Sequence, residues 1–178
     1  MARALLVGRF QPFHAGHLAT VRAVRAAHPD EPLILGIGSA QASYTLDNPF
    51  TAGERAEMID RALAEAGVAG CAWVPLVDID RHALWVAHLE SLLPPFRRIH
   101  TNNPLTRLLF ERAGYVVESP PLVDRDRLQG TRIRALLAAG SDVGDRVPPA
   151  VGAYLRSIDA GGRLKLLAAR ARDGGGGA

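Results

Sequence analysis

The chain has 178 residues, of which 48% are apolar and 22% charged, and its formal net charge is +3. This size and balance are typical of one globular domain with a substantial core, and they exclude a protein of several domains. No apolar run reaches the ~18 residues of a membrane-spanning helix, and the start of the chain lacks the pattern of a signal peptide. We therefore expect a cytoplasmic protein with no membrane partner.

Arginine carries almost all of the positive charge, because Lys165 is the only lysine. The arginines are scattered among acidic residues, and aromatic residues make up only 6% of the chain, so no nucleic-acid partner is expected. Small phosphorylated ligands remain open. The single cysteine, Cys71, cannot form an internal disulfide and is interpreted as a small buried residue.

Short apolar runs alternate with helical patterns along the chain. The predicted strands are 4–8, 32–37, 71–77, 98–101 and 115–118. The predicted helices are 15–28, 51–66, 82–93, 104–113, 131–139, 149–158 and 162–171, with Gly161 and Gly162 separating the last two. The alternation predicts an α/β fold with a doubly wound, Rossmann-like, five-stranded parallel sheet and a helical C-terminal segment. The domain is expected to span 1–171, and the Gly-rich end, 172–178, to form a disordered tail.

The loop after the first predicted strand has the sequence GRFQPFHAGH, residues 8–17. Ligands of parallel sheets bind beyond the carboxyl ends of the strands, so this loop is a candidate site. His14 and His17 share one side of the first helical turn, whose free N–H groups favour an anion, and Gly16 leaves room between them. The pair suits a polyphosphate. A capping histidine beside a core histidine, or a metal pair, is the alternative, but histidines without neighbouring Cys, Asp or Glu make a poor zinc site.

A second candidate phosphate contact is the segment LQGTRIR, residues 128–134. Gly130 and Thr131 precede or open a predicted helix, so backbone N–H groups and the threonine hydroxyl can hold phosphate. Arg134 can reach back along the same helix face. An ordinary helix cap with a surface arginine is the alternative.

Three polar or aromatic residues follow the third and fourth strands. Trp85 begins a helix above a strand end, where it can stack on a flat cationic ring, or it can be a core residue. Asp78 can add a hydrogen bond or a counter-charge. Asn103 either faces the same cleft as His14 or caps the helix that begins at Pro104.

The segment GRFQPFHAGHL resembles the HxGH motif of the nucleotidylyltransferase superfamily, and as a whole it resembles the archaeal-type nicotinamide-nucleotide adenylyltransferases. The resemblance covers most of residues 4–155 and continues through 38–55, 84–96, 101–110 and 128–134. It implies the strand order 3-2-1-4-5 and the synthesis of NAD and pyrophosphate from ATP and nicotinamide mononucleotide. It also implies Mg²⁺ accompanying ATP, with no metal held by protein side chains, and a homo-oligomer, since archaeal relatives are typically hexameric.

The resemblance also assigns roles to residues of this chain. His14, His17 and Arg134 are expected to be catalytic, with His17 as the first choice for stabilising the transition state. Contacts to ATP are expected from glycines and phosphate-facing residues, namely Gly8, Arg9, Phe10, Gly16, Gly38, Ser39, Gly130 and Thr131. Contacts to the nicotinamide nucleotide are expected from Asn48, Asp78, Trp85 and Asn103.

The loop after the second strand and the helix beyond it carry further expectations. Gly38 and Ser39, with Gly36 before them, are expected to let adenine or ribose lie against the backbone, and a flexible turn is the alternative. Farther on, Glu54 is expected to cap its helix without being catalytic. Arg55 is expected to face phosphate or solvent.

Two positions depart from the family pattern. Relatives usually have glycine at the position of Asn102, which predicts a positive φ there. They often have serine at the position of Gln129, so one hydroxyl contact to phosphate is missing.

Other functions remain compatible with the motif. Pantetheine phosphate, FMN or a sugar-alcohol phosphate can serve as acceptor in relatives with HxGH. A non-catalytic nucleotide-binding regulator would be expected to lose His17 or Arg134, and both are present. A fragment of a class I aminoacyl-tRNA synthetase has a similar histidine element, but this chain lacks a KMSKS-like lysine loop.

Overall fold

The computed structural model describes residues 3–121, 123–124 and 126–173. Its strands are β1 (Ala4–Gly8), β2 (Leu33–Ile37), β3 (Cys71–Pro75), β4 (Arg98–His100) and β5 (Val116–Glu118). They form one parallel sheet in the order β3-β2-β1-β4-β5. Both the predicted fold class and the predicted strand order are confirmed.

The helices pack on both faces of this sheet, because alternate residues of a strand point to opposite faces. They are α1 (Ala15–Ala27), α2 (Ala52–Glu65), α3 (Trp85–Leu92), α4 (Pro104–Arg112), α5 (Gly130–Ala139), α6 (Pro149–Ser157) and α7 (Ala160–Asp173). One core cluster joins Leu6 of β1 to α1, α2 and the C-terminal helices. The other joins Leu5 to α3 and α4. None of the described helices is long and apolar enough to cross a membrane.

The structure corrects two predicted elements. The predicted strand 71–77 ends at Pro75, and the predicted helix 82–93 opens with a 3-10 turn, His82–Leu84, before α3 begins. The chain at Asp80 has a φ of +50°, which no regular strand or helix accommodates, and this break delays the helix.

The two glycines expected to separate the last helices instead lie in the first turn of α7. The break occurs one step earlier, at Asp159, whose φ is +47° and whose carboxylate accepts a hydrogen bond from the N–H of Gly162 at 3.0 Å. A Cβ at Gly161 would lie 3.1 Å from the carbonyl oxygen of Leu137, so glycine permits close packing of α7 on α5. Helix α7 runs to Asp173, and the rest of the predicted tail, 174–178, lies outside the described residues.

The strand order reverses between β1 and β4. The chain places β2 and β3 on one side of β1 and then crosses to β4 and β5 on the other side. The crevice at such a switch point opens beyond the carboxyl ends of the strands. The loops after β1, β2 and β4 therefore border one region of the molecule.

Candidate active site

The two histidines of the first loop form a reciprocal cap on helix α1. His14 is the N-cap residue, and its Nδ1 accepts a hydrogen bond from the N–H of His17 at 3.3 Å. In return, Nδ1 of His17 accepts from the N–H of His14, also at 3.3 Å. The ring centroids lie 3.6 Å apart with 20° between the ring planes. The predicted shared face and the alternative of a capping histidine thus describe the same arrangement.

The surroundings of the pair set its protonation state. Burial lowers the pKa of His14 to about 4. Burial, followed by the charge of His14, lowers the pKa of His17 well below its ordinary value. Both rings are therefore neutral at pH 7. Because each Nδ1 accepts a backbone N–H, the hydrogen-bond network assigns the ring proton to Nε2, so each histidine can donate from Nε2 to a ligand.

The free energy of unfolding is expected to fall as the pH drops from about 6.5 to about 4. The unfolded chain protonates His14 in this range, whereas the folded protein does so only near its lowered pKa of about 4. Stability contributed by the neutral ring is thus complete above pH 6.5 and is lost on acidification, on the order of 3 kcal/mol over the range. Urea denaturation at several pH values between 7 and 4 measures this difference.

Carboxylates with lowered pKa, such as Glu54, lose stability in the same direction, so a variant comparison is needed. In His14→Gln the pH-dependent loss should be smaller than in the wild type by the share that belongs to His14. An equal loss in both proteins would contradict the buried neutral state of this ring.

Glycines in the first loop make room for aromatic side chains. A Cβ at Gly8 would lie 2.7 Å from the ring of Phe10, which is buried and has a φ of +50°. Phe10 therefore fills the space that a side chain at position 8 would need, and the expected approach of a ligand to the backbone of Gly8 stays a prediction. The ring of Phe10 packs edge-on against His17 at 4.9 Å, so only its backbone is left to contact ATP. A Cβ at Gly16 would crowd the ring of His14 at 3.1 Å and Leu128 at 3.3 Å.

Helix α5 begins directly against the first loop. A Cβ at Gly130 would lie 2.9 Å from the carbonyl oxygen of Gln11, so only glycine allows this approach. The N-cap residue, Gln129, makes no side-chain cap, which leaves the first N–H groups of α5 without a side-chain acceptor from the described residues. Thr131 lies exposed in the same turn. This helix start and the start of α1 thus adjoin the same loop. The start of α5 offers N–H groups to an anion, whereas at the start of α1 the N–H groups of Ala15 and His17 already donate to the carbonyl of Arg146 and to Nδ1 of His14.

Arg134 is buried and braces this junction. Its Nη1 donates to the carbonyl of Gln11 at 2.9 Å, and its Nε donates to the carbonyl of Leu46 at 3.0 Å. Its Nη2 lies 3.3 Å from the carboxylate of Asp47, which is 80% exposed. The guanidinium thus binds the loops around the histidine pair, and its ion pair with Asp47 lies on the exposed side of this junction.

Arg55 holds the loops of the site from inside the protein. It does not face solvent, because its side chain is fully buried, so that alternative is wrong. It donates to the carbonyls of Arg9 at 2.9 Å, Gly38 at 2.6 Å and Ser39 at 3.1 Å. Burial and then the charge of Arg9 lower its pKa to about 10, with Asp78 opposing, so it stays charged at neutral pH. Arg55 therefore ties the loop after β1 to the loop after β2.

The loop after β2 is held by these bonds rather than left open. Ser39 has a φ of +50°, and the N–H of Gly38 donates to the carbonyl of Gly8 at 2.9 Å. A Cβ at Gly36 would lie 2.5 Å from the side chain of Leu76, so this glycine admits a core side chain. The expectation that Gly36 opens backbone to a nucleotide is wrong, whereas nothing crowds Gly38 closer than 3.7 Å.

Glu54 completes a capping box with Thr51, as predicted. Its carboxylate also binds the guanidinium of Arg163 from α7 through two contacts of 2.6 and 2.7 Å. That contact was not predictable, because the sequence does not show that α7 packs beside α2. Both oxygens of Glu54 are thus engaged, which agrees with its expected non-catalytic role.

A cavity of about 320 Å³ lies between β1, the loop after β3 and the start of α4. Asp78, Trp85 and Asn103 all line it, so three of the residues expected to bind the nicotinamide nucleotide come together. Trp85 also packs against the core cluster of α3 and α4, so its predicted core contact is present, and its stacking on a cationic ring stays a prediction. Asn103 caps α4 by accepting a hydrogen bond from the N–H of Thr106 at 3.0 Å.

Asn48 and Asn102 differ from expectation. Asn48 does not line this cavity; it lies beside Asp47, on the segment bound by Arg134, and its Oδ1 is buried without a partner among the described residues. Asn102 does not have the predicted positive φ. Its side chain instead donates to the carbonyl of Pro120 at 3.0 Å, an anchor that glycine cannot provide.

Comparisons with known proteins agree with this geometry. A family model described as cytidylyltransferase-like matches residues 5–136. A nicotinamide-nucleotide adenylyltransferase of Picrophilus torridus is 48% identical over 93% of this chain and 96% of its own. One of Methanosphaerula palustris is also 48% identical, over 94% of this chain and 98% of its own.

A solved structure shares the fold. It is a bifunctional NMN adenylyltransferase/ADP-ribose pyrophosphatase from Francisella tularensis, complexed with AMP and a manganese ion. It superposes with a TM-score of 0.75 at 21% identity over 97% of this chain. The chain spans about half of that protein, 53% of its length.

Proposed function

Because the chain belongs to the cytidylyltransferase-like family, and within it to the nicotinamide-nucleotide adenylyltransferases, we propose that it transfers the adenylyl group of ATP to nicotinamide mononucleotide. The products are NAD and pyrophosphate. The observation that carries the proposal is the stacked, neutral pair His14 and His17, set at the start of α1 and against the start of α5. A cavity lined by Trp85 lies at the same switch point of the sheet.

The reaction is a displacement at the α-phosphorus of ATP. An oxygen of the mononucleotide phosphate forms a bond to this phosphorus while the bond to the bridging oxygen breaks, and pyrophosphate leaves with the electron pair. The attacking phosphate is already ionised at neutral pH, so no general base has to activate it. Catalysis then depends on alignment and on stabilising the charge that gathers on the phosphate oxygens.

The donors for that charge are the two Nε2–H groups and the first N–H groups of α5. Arg134, held at the same junction, adds a permanent positive charge near them. Gly38, Ser39, Gly130 and Thr131 provide backbone or hydroxyl contacts around ATP, and Arg9 has an exposed side chain for the same ligand. The neutral imidazoles suit this task because burial keeps the pKa of both histidines low, so their Nε2–H donors do not change protonation state near pH 7.

A divalent ion is expected to accompany ATP, and we propose Mg²⁺. The groups gathered here are N–H donors and guanidinium groups, and the exposed carboxylate of Asp47 is paired with Arg134. This set fits an ion held mainly by phosphate oxygens and water, which Mg²⁺ tolerates well. Such an ion would neutralise part of the triphosphate charge.

The activity test is a panel of acceptors with purified protein, ATP and Mg²⁺. Nicotinamide mononucleotide should give equal amounts of NAD and pyrophosphate. Turnover with pantetheine phosphate or FMN in its place would select another acceptor. If a folded sample releases no pyrophosphate with any of these acceptors, adenylyl transfer is rejected and a nucleotide-binding regulator is favoured.

Trp85→Ala is expected to raise the KM for nicotinamide mononucleotide about tenfold while changing kcat little. The lost interaction is stacking of the indole on the pyridinium ring, worth roughly 0.5–2 kcal/mol. Trp85→Phe should restore most of the affinity, because a phenyl ring can still stack. Steady-state kinetics with varied mononucleotide measures the effect.

Trp73→Ala is the matched control for this substitution. Trp73 lies on β3, is 37% exposed and donates its indole N–H to Asp60 at 2.9 Å, away from the cavity. Its KM should equal that of the wild type. A Trp85→Ala protein with normal KM but lowered Tm would show that the indole serves only the core.

We further propose that the chain forms a homo-oligomer, since a hexamer was expected from the family. Leu166 on α7 is 61% exposed, and Leu105 and Leu108 on α4 are also exposed. Light scattering coupled to size-exclusion chromatography measures the state directly. A monomer at micromolar concentration would contradict the proposal.

A further inference from the structure

Three potential metal ligands meet on the face of the sheet that carries α1, at the edge formed by β4 and β5. Leu6, His100 and Glu118 are register neighbours across β1, β4 and β5, so their side chains share one face. His28, the C-cap residue of α1, reaches the same place. One ligand atom from each of the two histidines and the glutamate lies within 4.8 Å of the others.

The distances suit a small ion. Nε2 of His28 lies 2.9 Å from Oε2 of Glu118, and Nδ1 of His100 lies 3.7 Å from the same oxygen. In tetrahedral zinc sites the metal–ligand bonds are about 2.0–2.2 Å, which places neighbouring ligand atoms roughly 3.4 Å apart. The two distances to Oε2 are thus within about half an ångström of that spacing, and the distance between the two histidine nitrogens is at most 4.8 Å.

His100 lacks the partners that a buried imidazole needs. Its side chain is only 3% exposed, yet within the described part of the chain neither ring nitrogen makes a hydrogen bond. Nε2 is buried without a partner, and Nδ1 faces Glu118 beyond hydrogen-bond distance. A buried polar group left in this state is costly, and a metal ion on Nδ1 would relieve half of the deficit.

The charges around the cluster also favour a cation. Arg98 pairs with Glu31 at 2.9 Å and also with the other carboxylate oxygen, Oε1, of Glu118. Two carboxylates thus face one guanidinium, which leaves a net charge of about −1 when both imidazoles are neutral. Arg98 occupies Oε1 and leaves Oε2 directed at the histidines, an arrangement typical of partners that orient a ligating carboxylate.

We propose that His28, His100 and Glu118 bind a divalent transition-metal ion of the zinc type, with water in the remaining position. Two imidazoles and a carboxylate are a common zinc donor set, whereas magnesium prefers oxygen ligands alone. The side chains of His28 and Glu118 are 24% and 37% exposed, so the ion and its water can enter from solvent. The ion would hold the end of α1 against β4 and β5, outside the cavity that Trp85 lines.

The site could not be recognised in the sequence, because His28 and Glu118 lie 90 positions apart and no spacing motif links them. Its test is zinc binding by the full chain after treatment with a chelator, measured by calorimetry at pH 7.5. We expect one zinc ion per chain at this site. His28→Gln and Glu118→Gln should each raise its Kd at least about tenfold, since even partners behind the ligands are worth that much. Zinc should also raise the Tm of the wild type more than that of either variant.

His88→Gln is the matched control, because it removes an exposed imidazole outside the cluster and should leave the Kd unchanged. Equal Kd values in the wild type and both cluster variants would place bound zinc elsewhere and reduce the cluster to an ion-pair network. If the variants fail to fold, Co²⁺ added to the wild type decides. Strong visible absorption typical of four-coordinate cobalt, removed by zinc, supports the site, and its absence overturns it. These readouts are independent of NAD synthesis.

Discussion

Replacing His17 by alanine is expected to lower kcat by about a hundredfold or more, the usual cost of losing one donor that stabilises transition-state charge. The neutral ring offers an Nε2–H whose direction is fixed by stacking on His14 at 3.6 Å and by the edge contact with Phe10. The donor is thus in place before the charge develops. Steady-state kinetics measures kcat, and pre-steady-state measurement of pyrophosphate release gives the rate constant of the chemical step.

Two substitutions separate this donor from the structural cap. Asparagine at position 17 can accept the N–H of His14 as Nδ1 does, but it has no group at the place of Nε2. Glutamine can place an N–H there. We therefore expect His17→Gln to recover part of kcat and His17→Asn to resemble the alanine variant. Recovery by asparagine alone would mean that His17 acts only as a helix cap.

The framework of the fold was predictable because its local patterns agree with the tertiary structure. The predicted first strand has the bounds of β1, and the capping box of Thr51 and Glu54 marks the start of α2. Proline at position 104 and the glycine after α4 likewise set the limits of that helix. The parallel sheet followed from the alternation of strands and helices, and the strand order from the resemblance. The switch point then indicated which loops meet.

Details of the site were less predictable, since they depend on which distant segments come into contact. Spacing placed His14 and His17 on one side of a helical turn, but the depressed pKa values result from burial by the surrounding fold. Gly8 was expected to face a ligand because its small size was visible, whereas the inward turn of Phe10 was not. A glycine in a sequence shows that space is needed without showing what fills it.

Arg55 illustrates the same limit from the opposite direction, because a charged residue on an amphipathic helix is normally exposed. Here the sheet and two loops close over it, and backbone carbonyls replace water around the guanidinium. Arginine suits this role because its rigid fork donates in several directions and keeps its charge. Arg55 therefore fixes the two loops that we propose to contact ATP, through bonds to their backbone carbonyls.

Arg55→Met is expected to lower the free energy of unfolding by at least about 2 kcal/mol, because each carbonyl left without a donor costs roughly 1–3 kcal/mol. The carbonyls that lose their donor belong to Arg9 and Gly38, on the two loops that we propose to contact ATP, whereas the carbonyl of Ser39 still accepts from the N–H of Ala42 at 3.1 Å. We also expect the KM for ATP to rise, since these loops lose their common anchor. Urea denaturation and steady-state kinetics measure the two effects.

Arg61→Met is the matched control on the same helix. Arg61 is 46% exposed and pairs with Glu57 one turn away at 2.6 Å, a surface interaction worth less than about 1 kcal/mol. Arg55→Lys should fall between the two, because an ammonium group keeps the charge but cannot reach carbonyls on both loops in the same fixed geometry. If Arg55→Met were as stable as Arg61→Met, the buried guanidinium would not be what holds the two loops together, and their geometry would have to come from backbone contacts such as the bond between Gly38 and Gly8.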